Sequence, residues 1–185
     1  MDNNPDGTIE GTGFIHSNTS IINNGTVSSV GTLHLATKGF VKNFGVIKNA
    51  PLDTLRVSQL GESEPIKNKG MIEVNAGGGV AFNGELNNEP NGVIKLKNGV
   101  IAAALITHSE GATLEGFGGI TGDLVMQANS LVKLTGPTYI IGNLYIGPGA
   151  ELQISEGTTI ITGKTTCQGN INLTGGKIVH QGGID

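Results

Sequence analysis

The sequence predicts an all-β fold of stacked parallel coils, and three observations carry that expectation. A short phrase, an Asn and a Gly followed by aliphatics at alternate positions, returns about every twenty residues. Further apolar stretches recur before and after it, and Gly interrupts every candidate helical pattern before it reaches twelve residues. Composition agrees: with 31 Gly and only 14% charged residues among 185, the chain is too apolar for disorder, and Gly without a three-residue period excludes collagen.

The elements follow in order from the Gly of the phrase. "IINNGTVSS" pivots on Gly25, "FVKNFGVIKN" on Gly45, "IKNKGMIEVN" on Gly70 and "EPNGVIKLK" on Gly92. Looser copies pivot on Ala112, Ser130 and Ala150, and "CQGNINL" pivots on Gly169. Two and four places past the pivot stand Ile72 and Val74, Ile94 and Leu96, Val132 and Leu134, Leu152 and Ile154, and Ile171 and Leu173, the period of a strand with one buried face. A second apolar stretch follows eight to twelve residues on, in "TLHL", "TLRV", "VAF", "VIAAALI", "YII", "TIIT" and "KIV". A third apolar site, such as Phe40, Ile66, Leu86, Leu124 or Leu144, precedes most pivots. "VIAAALITH", the best helical candidate, is expected to be a strand because its neighbours at the same phase are strands.

One unit of this size cannot bury its own apolar face, so the units must stack. The expectation is a single domain over 1–185, with about eight coils of roughly 18–25 residues and three short strands per coil. Gly is expected at corners that leave no room for a side chain and suit positive φ. The neighbouring Asn is expected to bond its own backbone or its equivalent in the next coil. "DNNPDGTIEGTG" reads as a short lead with a partial strand at Thr8–Ile9, and "GGKIVHQGGID" remains strand-like at the other end. The chain is therefore expected to be a segment of a longer protein, or to pair an open end with another copy.

The chemistry is sparse. Net charge is −4, and eleven scattered basic residues, of which only Arg56 is arginine, do not form the cluster that nucleic acid requires. Cys167 stands alone, which excludes an internal disulfide and a Cys-based zinc site, and its corner position suits a small interior filler. No apolar run of eighteen residues predicts a transmembrane segment, and the polar start carries no signal peptide. The nearest approach to a carboxylate cluster is Glu110, Glu115 and Asp123, weak candidates for holding a cation, and Tyr139 and Tyr145 are weak candidates for stacking on a sugar. His16, His34, His108 and His180 share no ligand spacing, and His34, between Leu33 and Leu35, should face outward. No catalytic residue, metal or cofactor is assigned.

The N-x-G-x-[IV] phrase, the coil length and "LEGFGGITGDL" resemble right-handed parallel β-helices, in particular the passenger and haemagglutinin-like stalks of bacterial surface proteins. The resemblance spans nearly the whole chain and is one of repeat style; "EPNG" at 89–92 is a partial echo of the NPNG-like motif of haemagglutinin-type secretion domains. It implies a secreted or cell-surface protein with a non-catalytic structural or adhesive role, meeting a polysaccharide or a host or cell-surface ligand. Two alternatives belong to other classes: a carbohydrate-active lyase or hydrolase, and a filament protein assembling by end-to-end self-association.

Overall fold

A computed structural model describes residues 1–61 and 64–185, which contain strands and turns and no helix. Every strand pairing is parallel and joins residues one coil apart, so the chain is a β-solenoid of about nine turns. Each coil contributes one strand to each of three faces. The first face runs through Ile21–Asn23, Val41–Asn43 and Ile66–Asn68 to Leu144–Ile146 and Thr165–Cys167. The second includes Val46–Asn49, Met71–Val74, Glu151–Ile154 and Asn170–Leu173, and the third includes Thr54–Gln59, Gly79–Phe82, Thr158–Ile161 and Lys177–His180. The segment "VIAAALITH" lies within the strand Val93–His108, as its phase predicts.

The expected partial lead is instead a complete first coil. Asp2–Asn3 pairs with the first face, and Thr8–Ser17 supplies the strands of the other two. The reason it escapes detection is corner length. Asn3 and Gly7 are four residues apart, whereas Asn23 and Gly25, Asn43 and Gly45, and Asn68 and Gly70 are two apart. The four-residue corner recurs from Asn88 to Gly92, His108 to Ala112, Met126 to Ser130 and Ile146 to Ala150. Its last N–H closes a turn, as in Gly92 N–H to Glu89 O (2.8 Å) and Ala150 N–H to Gly147 O (3.0 Å). The third residue of that turn has positive φ in Asn91 (71°), Gly111 (73°), Asn129 (57°) and Gly149 (71°), and Pro90 and Pro148 precede two of them. Pro followed by a positive-φ Asn or Gly is the type II signature, so "EPNG" is a corner of the coil.

The pivot glycines themselves correct an expectation. Gly25, Gly45, Gly70, Gly92 and Gly169 do not have positive φ. What each lacks is space: a Cβ on any of them would fall within 3 Å of a carbonyl oxygen of the preceding coil. The carbonyls of Gly25 and Gly45 accept from the N–H of Val46 and Met71 (2.8 Å each), which holds successive corners against one another.

Aliphatic columns line the interior on all three faces. Ile72, Ile94, Leu114, Val132 and Leu152 form one fully buried column on the second face, and Leu55, Val80, Ile101, Ile120 and Ile140 another on the third. On the first face Val41 fills the inner position; Phe40 lies beside it, half-buried, with the Lys42 ammonium 4.6 Å from its ring centroid. In the last coil Ile171 is only half-buried and Leu173 is 47% exposed, because their strand pairs on one side alone.

One inner column of the first face is polar. Asn3, Asn23, Asn43, Asn68, Asn88 and His108 stack in successive coils and are all buried. Each Nδ2 donates to the next Oδ1, from Asn3 to Asn23 (2.8 Å), Asn23 to Asn43 (2.7 Å), Asn43 to Asn68 (2.7 Å) and Asn68 to Asn88 (2.7 Å). The second Nδ2 proton goes to a backbone carbonyl, for example Val46 O (3.1 Å) from Asn23 and Thr113 O (3.1 Å) from Asn88. That carbonyl can only accept, so it fixes which end of each amide is nitrogen, and the whole ladder points one way. The expected Asn-to-Asn bonding is therefore present, inside the core.

Candidate functional site

The sequence-derived candidates do not converge. Glu110 is the exposed second residue of a corner turn, and Glu115 lies on the second face in an ion pair with Lys95 (3.2 Å). Asp123 lies on the first face, its carboxylate accepting from Asn143 N–H (2.8 Å). No group of three or more His, Cys, Asp or Glu able to hold a metal ion occurs among the described residues. Tyr139 is exposed on the third face, whereas Tyr145 projects from the first between buried Leu144 and Ile146, with its hydroxyl donating to Gln168 Oε1 (2.9 Å). The two rings therefore stand on different faces.

Outward residues differ from face to face. On the second face Lys48, Glu73, Lys95, Glu115 and Lys133 are register neighbours, so opposite charges alternate along the axis. Lys97 adds a 2.7 Å ion pair to Glu73, and that hydrogen bond is the main cause holding the Glu73 carboxyl below its usual range. Farther along, hydrogen bonds from Asn172 and Gln153 likewise lower Glu151. Here the carboxylates are spent on neighbouring coils. The first face carries Lys42, Lys67 and Lys69 around a hollow of about 190 Å³, with Lys69 paired to Glu89 (3.4 Å).

The third face has two halves. From Gly79 to Ile161 its strands, "GVAF", 99–102, 118–121, 138–141 and "TTII", contain no charged residue, and Val100, Tyr139 and Ile141 are exposed. Nearer the N-terminal coil, Phe14, His34 and Arg56 are register neighbours projecting outward. His34 meets the Phe14 ring edge-on at 5.0 Å between centroids, and its Nε2 hydrogen-bonds Ser58 Oγ (2.8 Å). Sequence reasoning placed His34 outward but did not join these three. They stand seven, nine and eleven residues past Gly7, Gly25 and Gly45, because the preceding links lengthen from coil to coil.

The remaining singled-out groups are internal or terminal. His108 is fully buried: its Nδ1 accepts from Asn88 Nδ2 (3.1 Å), and its Nε2–H donates to Leu131 O (2.9 Å). Burial pushes its pKa below the usual 6.5, against a smaller opposing effect of the Leu131 carbonyl. His180 contacts Thr165 Oγ1 (3.0 Å) and is also lowered by burial. Cys167 is half-buried beyond Ile146 in the ladder column, as a filler of the last coil. No protein-family model, curated protein or solved structure matches the chain.

Proposed function

We propose that this chain is a non-catalytic scaffold segment of a secreted or cell-surface protein, which presents its outer faces to a polysaccharide or another surface ligand. The observation that supports this most is how its charges are used. Glu73, Glu89 and Glu115 each pair with a lysine of a neighbouring coil, which ties the coils together along the axis. Buried amides and aliphatics do the same inside. Side chains thus repeat at one-coil intervals of roughly 4.8 Å, a spacing suited to a long repetitive ligand. The test is incubation with a panel of polysaccharides. The scaffold retains at least one of them in a pull-down and releases no new reducing ends or unsaturated products; cleavage of any member would refute it.

A second reading, end-to-end self-association, has its own observation. The strands Asn170–Leu173 and Lys177–His180 are paired on one side only, and no residue after Thr165 is buried. Light scattering over a concentration series tests it: mass rising with concentration supports association, and a constant monomer mass removes it.

A further inference from the structure

We propose that the row Phe14, His34 and Arg56 on the third face is a binding site for an acidic polysaccharide, with Arg56 holding a carboxylate or sulfate and Phe14 stacking on an adjacent sugar ring. This rests on the scaffold reading and names the ligand class for one of its faces. Arg56 is the only arginine of the chain, is exposed, and makes no ion pair among the described residues, although every lysine–glutamate pair above shows that partners are readily found on this surface. A guanidinium offers a planar fork that matches an oxyanion in two hydrogen bonds.

Its surroundings shape a site. Beyond Arg56 the row drops to Ala81 and then Ala102, so the guanidinium stands at the edge of a step. The hollow there measures about 260 Å³ and is lined by His34, Thr54, Arg56, Ser58, Ala81 and Asn83. Ser58, itself buried, fixes the His34 ring through Nε2 and leaves Nδ1 without a protein partner among the described residues. Phe14 is 62% exposed, an apolar ring held edge-on to His34 at the far end of the row. Register neighbours are roughly 4.8 Å apart, so ring and guanidinium are separated by about two coils, the reach of a short run of sugars.

A peptide is the weaker occupant. Extended peptides gain most of their affinity by adding to a free strand edge, and the strands under His34 and Arg56 are paired on both sides within the stack. Only side chains remain for recognition, and an aromatic face beside a cation suits a charged sugar.

The experiment is calorimetric titration of the chain with oligogalacturonate, a sulfated dextran oligomer, neutral dextran and polyglutamate. At least one acidic glycan binds, and the preferred one tells carboxylate from sulfate. Arg56→Gln weakens that binding about tenfold or more, Arg56→Lys restores it only in part because the fork is lost, and Phe14→Ala weakens it about threefold. Lys133→Gln on the second face leaves it unchanged. Thermal melts of the variants, all at exposed positions, confirm the fold. The proposal is overturned by failure of both acidic glycans to bind, by an Arg56→Gln variant that binds as the parent does, or by polyglutamate binding as tightly as the glycans. Cleavage of a bound glycan would refute the scaffold reading and leave the site standing.

Discussion

At position 108 the amide ladder meets an apolar column, since Met126 and Ile146 occupy the next two coils. Whatever stands there must accept from Asn88 and send no second proton onward. Neutral histidine meets both conditions: Nδ1 takes the place of an amide oxygen, and the single N–H at Nε2 goes to Leu131 O. Asparagine would direct one N–H at Met126. His108→Asn should therefore destabilise by about 1–3 kcal/mol in urea unfolding at neutral pH, the cost of a buried unsatisfied donor. Adding Met126→His, which moves the terminator one coil along at a corner of the same length, should restore part of the loss. The pH dependence has a definite sign. With the folded pKa below the usual 6.5, the unfolded chain binds the extra proton first, so stability is intact above about 6.5 and falls as pH drops below it. The advantage of the parent over His108→Asn should shrink between pH 7.5 and 5; an advantage independent of pH would refute the assignment of neutral His108. Nothing in the sequence marks His108 as the sixth rung, because its residue type differs from the five above it.

The corner is the element where sequence and structure part most instructively. The repeat of Gly25, Gly45 and Gly70 was legible because a coil-to-coil carbonyl contact leaves no room for a Cβ. The backbone geometry was not, because two kinds of corner share one pivot and only the four-residue kind uses positive φ, one place before the pivot. The first coil was lost for the same reason. Gly45→Ala should cost roughly 3 kcal/mol or more, since the Cβ meets backbone rather than a movable side chain. At Ser130, the equivalent of Ala112 and Ala150, the hydroxyl is buried with no hydrogen-bond partner. Ser130→Ala should therefore be neutral or stabilise by about 1 kcal/mol. Denaturation midpoints of the two variants check both; a Ser130→Ala loss above about 1 kcal/mol would show that the hydroxyl is satisfied in solution.

For the molecule as a whole, alternation after the pivot was enough to place the core, and it failed only at the end, where no coil covers Ile171 and Leu173. The outer faces were less legible. A ligand row runs across coils, and unequal links hide the register of Phe14, His34 and Arg56 from any fixed offset. Ile94 lies mid-stack and fully buried, so Ile94→Asp should lower stability by roughly 4 kcal/mol or abolish folding, visible as a collapsed melting temperature. About nine coils stack in register, and a directional ladder of buried amides joins the first five. Hydrogen exchange of the asparagine side-chain amides, followed by NMR, tests it most directly. Asn23, Asn43, Asn68 and Asn88 should show slowly exchanging Nδ2 protons, while exposed Asn18 and Asn98 exchange at once. Uniformly fast exchange at all six would contradict the ladder, and with it the register of the solenoid.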